Sequence, residues 1–229
     1  QFVKPMIQNE IDDSNNSFRI GLHAFGLFER AWSLRGFENL LIDFYDNPDF
    51  VDELLDMICD WILESIEHLL SFPLDAIMLT DDYADQRGMI FGLDLFRRFF
   101  KTRWKRIFQR IRDAGLYSIL HVCGNAEPAL QDLIECGLTC LESLQSEAMD
   151  VYQVKEKYGN QLRLWGGLGV QQLLPFGNPE NIRQEVKRLK KELGHNGGYI
   201  LNTSKEFNEI IPVENIAAYL EEASEKLYY

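Results

Sequence analysis

One unit recurs along this chain and limits what it can fold into. A short apolar run ends in a polar residue or pair, and a helical pattern follows before the next apolar run. The runs lie at residues 18–24, 76–80, 116–123, 139–143, 162–167 and 198–202. Between them, Asn47-Pro48-Asp49 and Asn178-Pro179-Glu180 repeat an N-cap followed by a proline at the first helical position. Phe50, Leu54, Leu55, Ile58, Ile62, Ile66 and Leu69 then recur at helical spacing. Residues 95–114 predict a long helix with Arg and Lys on its outer face, stopped by Gly115. Shorter helices are expected at 128–135, ended by Gly137, and at 213–226. Continuous apolar strands alternating with helices predict a parallel α/β fold with six strands. A closed (β/α)8 barrel takes eight strands and typically about 250 residues. The pattern therefore reads as a barrel without its first part or as an open doubly wound sheet. No GxGxxG follows the first strand, which argues against a dinucleotide fold.

Composition narrows the partners. The 229 residues are 46% hydrophobic and 26% charged, ordinary values for a folded domain. The net charge of −13 leaves no basic field for nucleic acid or for an anionic membrane surface. No stretch approaches the ~20 apolar residues of a membrane-spanning helix, and the first residues have no signal-peptide character. The four cysteines, Cys59, Cys123, Cys136 and Cys140, are expected as free thiols in a cytoplasmic protein.

In parallel α/β folds, function is built where strands end at their carboxyl side. Those ends carry Asp81-Asp82, His121 and Cys123, Glu142 with Gln145, Gly166-Gly167, and Asn202 to Lys205. His121 and Cys123 are two apart, so they share one face of a strand and suit one metal ion. Imidazole plus thiolate favours zinc. Buried packing of both side chains is the competing reading. Adjacent strand-end residues point to opposite sides, so at most one of Asp81 and Asp82 faces a given pocket. That one would accept a proton, orient a metal ligand or bind a cation; a helix cap is the alternative. Gly166-Gly167 permits close backbone approach, to a ligand or to packed neighbours. Cys59, Cys136 and Cys140 are expected in the core, and His68 and His195 on the surface. His23 is a minor candidate for the pocket. Trp32, Trp61, Trp104 and Trp165 are expected as core.

Several segments in order carry a resemblance. They are Phe28-Glu29-Arg30-Ala31-Trp32-Ser33-Leu34-Arg35-Gly36, Thr80-Asp81-Asp82 with Gln86-Arg87-Gly88, and His121-Val122-Cys123-Gly124. Leu144-Gln145, Met149-Asp150, Trp165-Gly166-Gly167, Gly197 to Leu201 and Pro212 to Ile216 follow. Together they resemble the uroporphyrinogen decarboxylase superfamily, which includes that decarboxylase and corrinoid-dependent methyltransferases. The resemblance implies a (β/α)8 TIM-type barrel, of which residues 1–229 would be a single domain lacking its N-terminal portion. It implies an enzyme, either a methyltransferase linked to a methylated corrinoid protein or a carboxy-lyase of tetrapyrroles. The former is the leading expectation, with uroporphyrinogen decarboxylation as the alternative and a non-catalytic corrinoid binder third. For a methyltransferase, His121 and Cys123 would hold zinc, with methylcobalamin or another corrinoid on a partner protein and a small-molecule methyl acceptor. A decarboxylase would need no cofactor. Asp81, Asp82, Glu142, Gln145 and Lys205 are the catalytic candidates; Gly166, Gly167, Asn202 and Ser204 are the cofactor-contacting ones. The methyltransferases' third zinc ligand, a distant Cys, aligns with Lys205, near a histidine of the decarboxylases. Lys205 thus departs from both patterns. Either Glu142, an aspartate or Ser204 completes the metal site, or Lys205 brings a positive charge for a carboxylate, a methoxy-aromatic acid or a corrinoid amide.

Overall fold

A computed structural model describes residues 17–225. Six parallel strands form its sheet: β1 (Ile20–His23), β2 (Ala76–Thr80), β3 (Tyr117–His121), β4 (Cys140–Leu144), β5 (Arg163–Leu168) and β6 (Tyr199–Thr203). Their order in space is their order in the chain, from β1 at one edge to β6 at the other. A doubly wound sheet reverses direction at a switch point. This one has none, so it follows the progression of a barrel wall.

The connections are helical: α1 (Leu27–Arg35), α2 (Phe37–Asp46), α3 (Pro48–Leu69), α4 (Lys101–Asp113), α5 (Leu130–Cys136), α6 (Val151–Tyr158), α7 (Pro179–Glu192) and α8 (Val213–Ser224). Strand residues divide with the two-residue period. Ile77, Leu79, Leu120, Leu141 and Leu164 join the large core shared with the helices. Ala76, Ile119 and Cys140 belong instead to a small cluster with Ile20, Met78 and Trp165 on the other face. Helices thus cover one face, and the second is the inner face of the sheet.

Local chemistry explains where the elements begin. Asn178 caps α7 by accepting the Asn181 N–H at 2.9 Å, and the Asn181 side chain accepts in return from the Asn178 N–H at 3.4 Å. Asp150 caps α6 through the N–H groups of Tyr152 and Gln153. Asn47 differs from expectation: Pro48 does open α3, but the Asn47 amide donates to Asp43 at 2.7 Å and caps nothing. The helix expected at 95–114 is interrupted by a π-helical turn, Phe96–Phe100, which lets Phe96, Phe99 and Phe100 all point inward. Its basic face is also not wholly external. Arg103 is buried and donates to Asp52, Asp56 and the Phe99 carbonyl. The helix expected from residue 128 begins with a 3-10 turn, Glu127–Ala129. An antiparallel pair, Ala84–Asp85 with Gly88–Met89, was too short to show in the apolar pattern. The polar run at 12–16 and residue 226 lie outside the described residues.

Helix α1 has no cap of its own. Asp81, just past β2, supplies it. Its carboxylate accepts the N–H groups of Phe28 at 3.1 Å and Glu29 at 2.8 Å, and the residue is fully buried. The β1–α1 turn is pinned to the same place: Gly26 N–H donates to the Thr80 carbonyl at 2.6 Å. A side chain at Gly26 would meet Asp81 Cβ and Thr80 O at 2.8 Å, so only glycine fits. Removing a buried acceptor of two backbone N–H groups costs about 2 kcal/mol. Asp81→Ala is therefore expected to lower unfolding stability by about 2 kcal/mol in denaturant titrations, whereas Asp82→Ala, at a half-exposed position, shifts it by less than about 1 kcal/mol.

Candidate metal centre at the strand ends

The carboxyl ends of β2, β3 and β4 bring four side chains together. The β3 backbone pairs with β2 on one side and β4 on the other, with Thr80 opposite His121 and His121 opposite Glu142. This register puts His121 between Thr80 and Glu142. His121 Nε2 lies 3.1 Å from Cys123 Sγ and 4.0 Å from Asp82 Oδ1. One donor atom each from Asp82, His121 and Cys123 lies within 4.8 Å of the other two. Asp82 is held in place from below, because its Oδ1 accepts the Cys123 N–H at 2.7 Å.

The far ring nitrogen of His121 is bonded to the Glu142 carboxylate. A carboxylate on Nδ1 fixes the ring orientation and leaves Nε2 facing the cluster, the usual support of a metal-ligating histidine. A nitrogen, a sulfur and an oxygen donor at one point suit the borderline-soft zinc ion. The residues present therefore fit a zinc ion, with Asp82 as the oxygen donor.

Protonation is tuned around this point. Burial lowers the affinity of His121 for its proton, but its bonds to Cys123 and Glu142 outweigh that and raise its pKa to about 10. Asp81 is pushed up to about 8 by burial, against the two N–H donors that favour its charged form. Glu29 is also raised, by burial and by the Asp82 charge. It accepts the Thr80 hydroxyl at 3.3 Å and a backbone bond from Asp82. Sequence reasoning gave Glu29 no role, because it sits on a helix rather than at a strand end.

The remaining candidates fall in different places. Lys205, past β6, hydrogen-bonds Cys123, and that contact raises its pKa. It lines a cleft of about 800 Å³ on the inner face together with His121, Glu142, Asn202 and Ser204. Gln145 is buried and accepts the Gly124 N–H at 2.9 Å, which braces the loop after Cys123. Gly166 and Gly167 both adopt positive φ. A side chain on Gly166 would reach the Leu144 backbone at 2.8 Å, and one on Gly167 the Tyr199 hydroxyl at 3.0 Å. Both positions are taken up by neighbouring strands and helix α7.

Asp81 faces helix α1, not the cluster, so the acidic pair divides between the two sides of the strand end. His23 is buried against Ser65 and Trp61 on the helix side, while its neighbour Leu22 lines the cleft. Trp165 lines the cleft too, and Trp61 is 44% exposed; Trp104 alone of the four tryptophans is fully buried. Cys59, Cys136 and Cys140 are buried free thiols, and His68 and His195 are exposed. No described helix is long and apolar enough to cross a membrane.

Comparisons with known proteins give the family. The family model for uroporphyrinogen decarboxylase matches residues 23–226, and the chain belongs to that family. It is 25% identical over 182 residues to a methylcobamide:CoM methyltransferase of Methanosarcina barkeri, covering 79% of this chain and 50% of that protein. It is 22% identical over 196 residues to the uroporphyrinogen decarboxylase of Methylococcus capsulatus, covering 84% of this chain and 53% of that protein. A solved methyltransferase from Methanosarcina mazei superposes with a TM-score of 0.70 at 25% identity, over 89% of this chain and 57% of its own. The chain spans about half the length of the curated relatives it matches.

Metal binding must displace the His121 proton, and the thiol proton of Cys123 where present. The affinity for zinc is therefore expected to rise at least tenfold per pH unit between about pH 6 and 9. Competition titrations against a chelator at several pH values measure this. Glu142→Gln removes one of the bonds that raise His121 and should flatten the dependence.

Proposed function

We propose that this chain carries the metal-binding part of a zinc-dependent methyltransferase that acts on a methylated corrinoid protein. The observation that supports this best is the convergence of Asp82, His121 and Cys123, with His121 anchored on Glu142. The methylcobamide-using relative supports the corrinoid partner. The likeness to the solved methyltransferase supports a (β/α)8 barrel for the complete domain. Zinc at this point would supply a positive charge that turns an acceptor thiol into a nucleophilic thiolate near neutral pH.

The side chains divide the remaining work. His121 and Cys123 are the nitrogen and sulfur ligands, and Asp82 is the oxygen ligand. Glu142 holds the Nδ1 proton, so that the Nε2 lone pair stays available. Cys123 N–H keeps Asp82 turned toward the cluster. Glu29, with its raised proton affinity and its bond to Thr80, can take up the proton that the acceptor thiol releases.

Tetrapyrrole decarboxylation is the second reading. It is favoured by a decarboxylase relative at similar identity and by Lys205, which departs from the distant cysteine that the methyltransferase resemblance implies there. Formation of coproporphyrinogen from uroporphyrinogen tests it.

Metal analysis of the purified protein separates the two. About one zinc per chain is expected, lost in His121→Ala and in Cys123→Ser. A metal-free intact protein would sink the zinc reading. Lys205→Cys restores a thiolate and is expected to raise zinc affinity by tenfold or more.

A further inference from the structure

Three polar residues at and just past the end of β6 face the cleft beside the metal centre: Asn202, Ser204 and Lys205. Ser204 is 1% exposed, lines the cleft, and its hydroxyl makes no hydrogen bond. A buried hydroxyl without a partner carries an uncompensated desolvation cost, so a ligand that satisfies it gains affinity. Asn202, two residues earlier on the same strand face, also opens to the cleft. Lys205 is the one lysine or arginine lining that cleft among the described residues. Its ammonium contacts the Cys123 sulfur and pairs with no described carboxylate.

Asp82 and Glu206 act on Lys205 electrostatically, but neither forms an ion pair with it. Glu142 is committed to His121. Glu206 lines the cleft as well and disfavours a second anionic group on the ligand. The flanking wall is apolar, from Trp165, Phe207 and Leu220.

We propose that Asn202, Ser204 and Lys205 form an anion subsite beside the metal centre, and that the substrate brings one carboxylate to it. An ammonium, a hydroxyl and an amide supply three donors, enough for both oxygens of a carboxylate. The wall then accepts an apolar or aromatic body next to that group. Lys205 is accordingly a specificity residue: it selects a monoanionic substrate over a neutral one of the same shape. The proposal rests on the metal reading only for which atom of the substrate reacts.

The test is calorimetric titration of the whole, chelator-treated protein, so that anion binding is measured without metal. The probes are 3-phenylpropionate, its uncharged amide, and the matching sulfonate. The carboxylate should bind at least tenfold tighter than the amide. Lys205→Gln should abolish that preference, Lys205→Arg should keep most of it, and Ser204→Ala should weaken carboxylate binding several-fold. A sulfonate that binds as well as the carboxylate assigns the subsite to oxyanions in general; a weaker sulfonate assigns it to carboxylates. Equal binding of acid and amide, no binding of either, or an acid preference that survives Lys205→Gln overturns the proposal. Circular dichroism of each variant confirms folding, which a half-exposed lysine should not disturb. Zinc content of untreated protein is measured separately. Full zinc without acid preference rejects the subsite alone, and acid preference without zinc rejects the metal reading alone.

Discussion

The site depends on one buried carboxylate that never touches it. Asp81 accepts two free N–H groups in the first turn of helix α1, those of Phe28 and Glu29, and thereby ties the β1–α1 turn to the end of β2. Helix N-termini favour an acceptor there, and a fully buried carboxyl group needs such partners. Because side chains alternate along an extended backbone, fixing Asp81 toward the helix turns Asp82 toward the inner face. There Asp82 meets the Cys123 N–H and faces His121. The same anchor sets Glu29 in the first turn of α1, where it accepts from Thr80 and lies near the metal donors. A capping interaction thus orients one member of the candidate metal cluster and positions a carboxyl group beside it.

The centre is built as layers of constraint outward from His121. The parallel register fixes the ring between Thr80 and Glu142. Glu142 sets which nitrogen faces inward, and the Cys123 backbone sets Asp82. Gln145 holds the Gly124 N–H and so keeps the loop that carries Cys123 from relaxing. None of these groups sits on a mobile side chain alone; each is braced by a backbone bond or a strand pairing. Donors held this way keep their spacing before any ion arrives, which lowers the ordering entropy that binding must overcome.

Much of this was legible in the sequence, and the limits have physical causes. Six strands were visible because buried parallel strands are nearly pure apolar runs. The His121–Cys123 pair was visible because two residues is the period of a strand face. The split between Asp81 and Asp82 followed from the same period, but which one faced inward did not. That depended on helix α1, more than fifty positions earlier. Glu29 stayed hidden for the same reason: its role comes from tertiary proximity. The π turn at Phe96–Phe100 was masked by helical periodicity, since five adjacent residues with three phenylalanines read equally well as an ordinary helix edge. Asn47 carried a cap signature that lost to a stronger local bond with Asp43. Gly166 and Gly167 showed only that a backbone approach is close, and the approaching groups are protein.

Lys205 shows how one residue can redirect a shared scaffold. A zinc ion with one thiolate and one carboxylate carries no net charge, as it does with two thiolates. An ammonium at the Cys123 sulfur adds one positive charge, set against Glu142 on His121 and Glu206 in the cleft. In a cleft partly shielded from water, that ammonium attracts an anion more strongly than it would at the surface. On the proposed zinc reading, the ammonium would draw electron density from Cys123, which would weaken sulfur donation and place more of the metal's hold on His121 and Asp82. A weaker sulfur ligand would leave the ion a stronger Lewis acid, so the exchange of a soft ligand for a cation would trade metal affinity for acidity and anion selectivity.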